Sequence, residues 1–529
     1  MSDLVGAGQA EQMSFGEEVG EAAAHWPPAA EKKNEEPQPL PPVRLKEVNR
    51  QQMLLRAVDV EQLVGSDHPI RAIWSLVCGL DLQKVEEAIR AREGQAGRPA
   101  LDPRVLISIW VYAYSMGVGS AREIERLMEI EPGLQWVSGL ESICAHTLSD
   151  FRVAHGEALQ QIFTDVLAVL SEAGMVSLQC VTLDGTKIKA ASSPYRLHRQ
   201  ETLERHQAEA QQYLEEVQKQ EEDEALSAQA KAARLRGARE KVEKAEQTLR
   251  ELQKVRVAKQ QRGEDGKQAQ VSETEPEARK MHHRDGAYAP SYNVQLSTDS
   301  EQKVIVSVEV TTSGNDNDAQ HLSGALEQIQ ERLGELPEQM LADSPYTNNN
   351  QNILKAKEMG VELYGPGHSE SEKQEAGEAE NFRAQFQYQS ESNSYVCPQG
   401  KSLRFAQKRE RAGRIHHVYK AADKDCHRCP LKQQCCPNNK GGRTVTRVET
   451  DPVVLQFREK MQTEEAQAIY RQRSKVAEFP NLWIKEKMGL RRFHVYGLLK
   501  AQIEVLWVAL TYNIQILIRG SRQIPSGAG

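Results

Sequence analysis

The chain has 529 residues, a formal net charge of -8, 27% charged residues and only 5% aromatic residues. That length allows two or three domains and a sizeable core. An acidic total argues against a nucleic-acid partner only if the charge is spread evenly, because a field depends on where charges sit.

In chain order, residues 1–44 are rich in Pro, Glu and Ala, a composition expected to stay disordered. Their first twenty residues hold no apolar run, so no secretory leader is expected. Residues 45–174 read as an all-helical N-terminal domain. Within it, "DPRVLISIWVYAYSMGV" opens on the helix-entry pair Asp102-Pro103. "VTLDGTKI", 181–188, alternates apolar and polar residues and is expected as a strand that ends on Asp184. Residues 199–279 are charged and helical. Leu235, Ala238, Val242, Ala245, Leu249 and Leu252 recur at spacings of three and four, which suggests a helical hairpin or short coiled coil.

A β-hairpin is expected over 292–313 and a helix over "DAQHLSGALEQIQERLG". The short strand in "EQMLADSPY" ends near Asp343, the helix after it begins among asparagines, and "VELYGP" is a further strand. The expected fold class is therefore α/β. Residues 373–447 form a Cys-rich insert, in which 401–447 hold thirteen Lys and Arg against three acids, a local charge of +10. Residues 457–500 hold ten against five, a local +5. The apolar run 498–518 is interrupted by Lys500, Glu504, Asn513 and Gln515 and is expected as a core helix, not a membrane span.

Three acids stand out. Asp184 and Asp343 are expected at strand ends, and Glu478 lies on a helix two turns before Lys485. Three carboxylates that converge cannot all ionise cheaply without a cation. Mg²⁺ takes carboxylate, water and phosphate oxygens, and two such ions can clamp the attacking and leaving oxygens of a phosphoryl transfer. The cysteines point to a different metal. Cys426 and Cys429 form a CxxC pair, Cys435 follows six residues on, and Cys397 is a fourth candidate. Four thiolates suit structural Zn²⁺; Cys436 or His427 are alternative ligands. No phosphate-cradling Gly-rich loop precedes a Lys-Ser/Thr pair, so no nucleotide cofactor is expected. The chain reads as soluble and cytoplasmic.

Together, "VTLDGTKIKA", "YNVQLSTD", "LADSPY" and "YRQRSKVAEFPNLWIKEKMGLRRF" resemble a bacterial insertion-sequence transposase of the DDE class. The helical segments "HPIRAIW", "LDPRVLISIWVYAYSMGVGSAREIERL" and "TLSDFR" resemble the domain that precedes its catalytic core. The resemblance implies an RNase H-like catalytic domain over 175–198, 280–372 and 448–520, interrupted by the hairpin and the Cys-rich insert, with a short disordered tail at 521–529. It makes Asp184, Asp343 and Glu478 the catalytic acids holding two Mg²⁺ ions. Tyr470, Arg473 and Lys485 complete a Tyr-Arg-Glu-Lys signature that contacts DNA phosphates, and Lys187, Arg491 and Arg492 are candidate contacts beside them. The implied activity is cleavage at the element's terminal inverted repeats and strand transfer into target DNA by a homodimer at the nucleoid. "DSPY" and "EFPNLW" depart from the usual form of the motif and support an alternative, a catalytically inactive DNA-binding protein derived from a transposase.

Overall fold

A computed structural model describes residues 57–92, 99–219, 227–312, 321–366, 385–411, 414–436, 441–448 and 451–521. The N-terminal tail 1–44, residues 313–320 and the C-terminal residues 522–529 lie outside them.

The helical region includes α1 (Pro69–Cys78), α2 (Pro103–Ser115), α3 (Ala145–Ala154) and α4 (Gly156–Glu172). Helix α2 starts as its sequence dictates. The Asp102 side chain accepts the backbone N–H of Arg104, and Pro103 fills the first turn, where no N–H is needed. Ten of its thirteen residues are buried, so it is a central helix of the core and not a surface one.

The first strand, β1 (Cys180–Lys189), corrects one expectation. Asp184 does not end it. Along its antiparallel neighbour, the strand Tyr288–Asp299, the ladder runs unbroken from Val181↔Asp299 through Asp184↔Leu296 and Gly185↔Gln295 to Lys189↔Ser291. The Asp-Gly pair, a turn signal in isolation, is overridden by that partner. Only the other edge of β1 stops near Asp184, where pairing with the strand Gln339–Ala342 ends at Leu183↔Ala342.

Helices α5 (Gln200–Lys219) and α6 (Ala228–Gln261) form the expected hairpin. They run antiparallel: Arg256, late in α6, donates to Gln200, early in α5, and Leu203 and Leu252 are buried in their seam. The chain then returns to the sheet through β2 (Arg279–His282), β3 (Tyr288–Asp299) and β4 (Ile305–Thr311). Helix α7 (His321–Leu333) leads to β5 (Gln339–Ala342), and α8 (Asn350–Glu358) leads to β6 (Glu362–Tyr364). The sheet order is β2-β3-β1-β5-β6, with β4 also on β3. The β2–β3, β3–β4 and β3–β1 pairs are antiparallel, and β1–β5 and β5–β6 are parallel. The fold is mixed α/β, as the sequence suggested.

The Cys-rich insert contains structure that the sequence reading missed. A second, antiparallel sheet is built from β7 (Gln387–Gln389), β8 (Ser394–Val396), β9 (Ser402–Arg411), β10 (Arg414–Ala421) and β11 (Thr444–Val448). Its own core is small: Phe386, Leu403, Tyr419, Ala421, Val445, Cys435 and Cys436.

The chain closes with α9 (Glu464–Arg471), α10 (Arg473–Glu486) and α11 (Leu498–Ser521). Helix α11 is long and apolar enough to cross a membrane by composition, yet 72% of that window is buried in the protein. It packs on α2, α4 and β4. Its Glu504 is fully buried and satisfied: it accepts from His494 N–H at 2.9 Å, from the His494 ring at 2.7 Å and from the Tyr114 hydroxyl at 3.3 Å, and it faces Arg152 at 3.5 Å. A buried carboxylate with that many partners ties the N-terminal helices to the C-terminal one, and removing any partner strands a charge.

Candidate active site

The register of the sheet creates the site. Leu183 and Ala342 are partners on adjacent parallel strands, so the next residue of each, Asp184 and Asp343, stands at the same level where that pairing ends. Two distant acids are brought together by one parallel pairing. Both nearby glycines are closely approached, and the one at 365, which meets backbone, is required. A Cβ at Gly185 would stand 3.0 Å from the Gln295 amide nitrogen, and one at Gly365 would stand 2.3 Å from the Ala342 carbonyl oxygen.

Helix α10 covers the acids. Arg473, its first residue, donates to Asp184 Oδ1 at 2.7 Å and lies 3.5 Å from Asp343 Oδ2. Asn481, two turns on, donates Nδ2 to Asp184 Oδ2 at 2.7 Å. Burial raises the carboxyls of both Asp184 and Asp343 above the usual range, and the Arg473 guanidinium opposes the rise at each. Tyr470, beside Arg473, has its phenol raised by burial. Lys485 lies further along the flank, and burial, with Arg284 nearby, lowers its ammonium to about 8.

The other expected residues separate into distinct environments. Glu478 is exposed on α10. Among the described residues no group of three or more His, Cys, Asp or Glu side chains is placed to hold a metal ion, so the structure brings Asp184 and Asp343 together without Glu478. Lys187 donates to the His282 carbonyl oxygen at 3.1 Å. Arg492 donates to the carbonyl oxygens of Ala190 and Ser192, both at 3.1 Å, and so pins the end of β1. Arg491 pairs with Glu486 at the surface. Trp483 donates to Gln515 at 3.1 Å and packs on the core, a structural role.

Sequence reasoning missed Asn481. It stands eight residues after Arg473, close to the same helix face, a spacing that gains meaning only once Asp184 is known to lie beneath that face.

The five clustered cysteines line one cavity of about 770 Å³ in the small sheet module. Cys397 Sγ accepts the Lys401 N–H at 3.3 Å, and Cys426 Sγ accepts the Arg443 N–H at 3.3 Å. All eight cysteines are free thiols. Burial pushes the Cys435 thiol up to about 11.

Two segments match known families. Residues 58–154, the helical region, match the family described as Transposase domain (DUF772). Residues 396–518, from the cysteine module through α10 and α11, match the family described as Transposase DDE domain. Both matches support an insertion-sequence DDE transposase. The DDE-domain match takes in Glu478, Arg473 and Lys485 of this transposase but not Asp184 or Asp343, whose assignment rests on the register just described. No curated protein and no solved structure matches the chain.

Proposed function

We propose that this transposase cuts DNA at the ends of its own element and joins those ends to target DNA, in a reaction that depends on divalent metal. The single observation that carries the reading is the pair Asp184 and Asp343, set side by side by adjacent parallel strands under one helix. The strand order β4-β3-β1-β5-β6, antiparallel on one side of β1 and parallel on the other, supports an RNase H-like core.

The residues present fit Mg²⁺. Asp184 and Asp343 offer carboxylate oxygens, with Arg473 standing in as their cation, and Asp343 Oδ1 is buried without a hydrogen-bond partner, a state that a hard cation relieves. Asp184 and Asp343 would hold the metal, with Glu478 the third acid from the rim of α10. Bound there, the ions would supply charge stabilisation for the attacking and leaving oxygens of a phosphodiester. Arg473 holds the two carboxylates at a fixed separation in the metal-free protein. Lys485, Tyr470 and Arg473 line the approach and would orient backbone phosphates, which position a nucleic acid without reading its sequence. The basic strands β9 and β10 of the cysteine module, with Arg404, Lys408, Arg409 and Lys420, would add phosphate contacts. Two ends must be handled together, which calls for a homodimer.

Within that module we propose a structural Zn²⁺ that would draw together Cys397, Cys426, Cys429 and one of Cys435 and Cys436, which line one cavity but are not set as a closed ligand cluster. The thiols face one cavity, and two sulfurs already accept backbone N–H groups. So small a core needs a staple.

A second reading, DNA binding without catalysis, is favoured by the exposure of Glu478. One assay separates the two. Wild-type protein and Glu478→Gln are incubated with duplexes carrying the element's terminal repeats, in Mg²⁺ or in EDTA, and nicking and joining are measured. The enzyme reading expects Mg²⁺-dependent nicking by the wild type and a loss of at least a hundredfold in the variant. Binding without nicking in Mg²⁺ would favour the second reading.

A further inference from the structure

Asn481 does two things in this site, and only one of its two amide atoms is used. Nδ2 donates to Asp184 Oδ2. Oδ1 is buried with no hydrogen-bond partner, and so is Asp343 Oδ1. A buried acceptor without a donor is costly, and native proteins rarely keep one without a ligand, water or ion to satisfy it. Here two such oxygens flank the carboxylate of Asp184, which bonds to both Arg473 and Asn481. Arg473 leaves its own Nε unpartnered as well, so the polar groups of this cleft do not satisfy one another. The unused acceptors are a carboxylate and an amide oxygen, both hard ligands of the kind that Mg²⁺ and Mn²⁺ take. Glu478 is three residues before Asn481, about 60° away around the helix at 3.6 residues per turn, and is exposed.

We propose that Asn481 is a metal-binding residue of the acid site: its Oδ1 joins Asp184 and Asp343 on a divalent cation, while its Nδ2 orients Asp184. The inference rests on the metal-dependent reading above and deepens it by naming a ligand outside the Tyr-Arg-Glu-Lys signature. Asn481 adds to Glu478, which would reach the ion from the solvent side.

The test is Mn²⁺ binding to the full-length protein without DNA, followed by calorimetry and by the electron paramagnetic resonance of free Mn²⁺. Wild type, Asp184→Asn, Asn481→Ala and Asn481→Asp are compared, with thermal melts to show that each is folded. Asn481→Ala is expected to weaken Mn²⁺ roughly tenfold or more, the range for groups that support a metal site. Asn481→Asp keeps a ligand oxygen but loses the N–H donor, and is expected to bind Mn²⁺ at least as tightly as wild type. If Asn481→Asp binds as weakly as Asn481→Ala, the side chain serves only as a donor to Asp184 and the inference fails. If Asp184→Asn loses Mn²⁺ while Asn481→Ala stays within twofold of wild type, the inference also fails but the metal reading stands. If Asp184→Asn leaves Mn²⁺ affinity unchanged, the metal reading itself falls, and the inference with it.

Discussion

The acid site and the cysteine module are both candidate metal centres, and they are built in opposite ways. Asp184 and Asp343 project from the rigid centre of a large sheet, and their proximity follows from strand register. An arginine already occupies the space between them. The cysteines come from turns and short helices around a seven-residue core, and the cation nearest them, Arg443, donates to the Cys435 carbonyl oxygen at 2.7 Å instead of bridging their sulfurs as Arg473 bridges the acids. The difference teaches that the acid site should survive loss of its metal as a folded but idle cleft, whereas the module should need its metal to hold its shape.

Removing zinc tests that contrast with the largest expected effect. A structural Zn²⁺ contributes on the order of 10 kcal/mol to a small domain's folding. Chelation should therefore open residues 385–448 to limited proteolysis and leave the sheet around β1 protected. If EDTA plus a thiol-specific chelator leaves the cleavage pattern unchanged and the purified protein holds no zinc, the module is stapled by packing alone.

Arg473 comes next. In the metal-free protein it pairs with the largely buried Asp184 and, at 3.5 Å, with the more exposed Asp343, and breaking such a pair costs about 3–5 kcal/mol when fully buried. Its side chain is 17% exposed, so Arg473→Met should cost somewhat less, about 2–3 kcal/mol by denaturant unfolding. Added Mg²⁺ should restore part of the loss, because the ion replaces the missing charge. Equal destabilisation with and without Mg²⁺ would mean that Arg473 is merely packing.

Lys485 gives a pH signature. Its ammonium is lowered to about 8, chiefly by burial. A lowered lysine contributes stability that is fully present above the unfolded value and lost as pH falls through the folded one. Metal-free protein should thus gain stability as pH rises across roughly 8 to 10, by up to about 3 kcal/mol at 1.36 kcal/mol per unit. Lys485→Met should flatten that rise in a melting series, and an unchanged slope would place the lysine in water. The smallest effect belongs to Arg491. Its exposed pairing with Glu486 should be worth under about 0.5 kcal/mol to folding, while Arg491→Ala should lower the salt dependence of DNA binding by about one unit of slope if it contacts a phosphate.

Much of this architecture could be read from residues alone. The alternation in "VTLDGTKI", the valine-rich hairpin and the Asp102-Pro103 start each specified a local element, because local pattern and tertiary partner agreed. Asp184 shows where that agreement ends. Asp-Gly is a turn signal by propensity, yet β3 runs past it for five more residues, and a long ladder outweighs a local preference. The five strands of the cysteine module were hidden among charged and polar residues with little apolar alternation. In the site, Asp184, Asp343 and Arg473 were legible as types and the parallel pairing explains why they meet. Asn481 was not legible, because an amide on a charged helix looks like surface until its neighbour is known to be a buried carboxylate. Lys187 and Arg492 looked like phosphate contacts by charge, and the structure has each bonded to backbone carbonyls, Lys187 to that of His282 at the end of β2 and Arg492 to those of Ala190 and Ser192 just past β1.

The central claim is that Asp184 and Asp343 form the working centre of a DNA-cutting enzyme. The most direct test is nicking of a terminal-repeat duplex in Mg²⁺ by wild type, Asp184→Asn and Asp343→Asn, with DNA binding measured in parallel. Wild type should nick, and each variant should bind normally yet nick at least a thousandfold more slowly, roughly 4 kcal/mol on the barrier. A variant that binds and nicks like wild type would contradict the account.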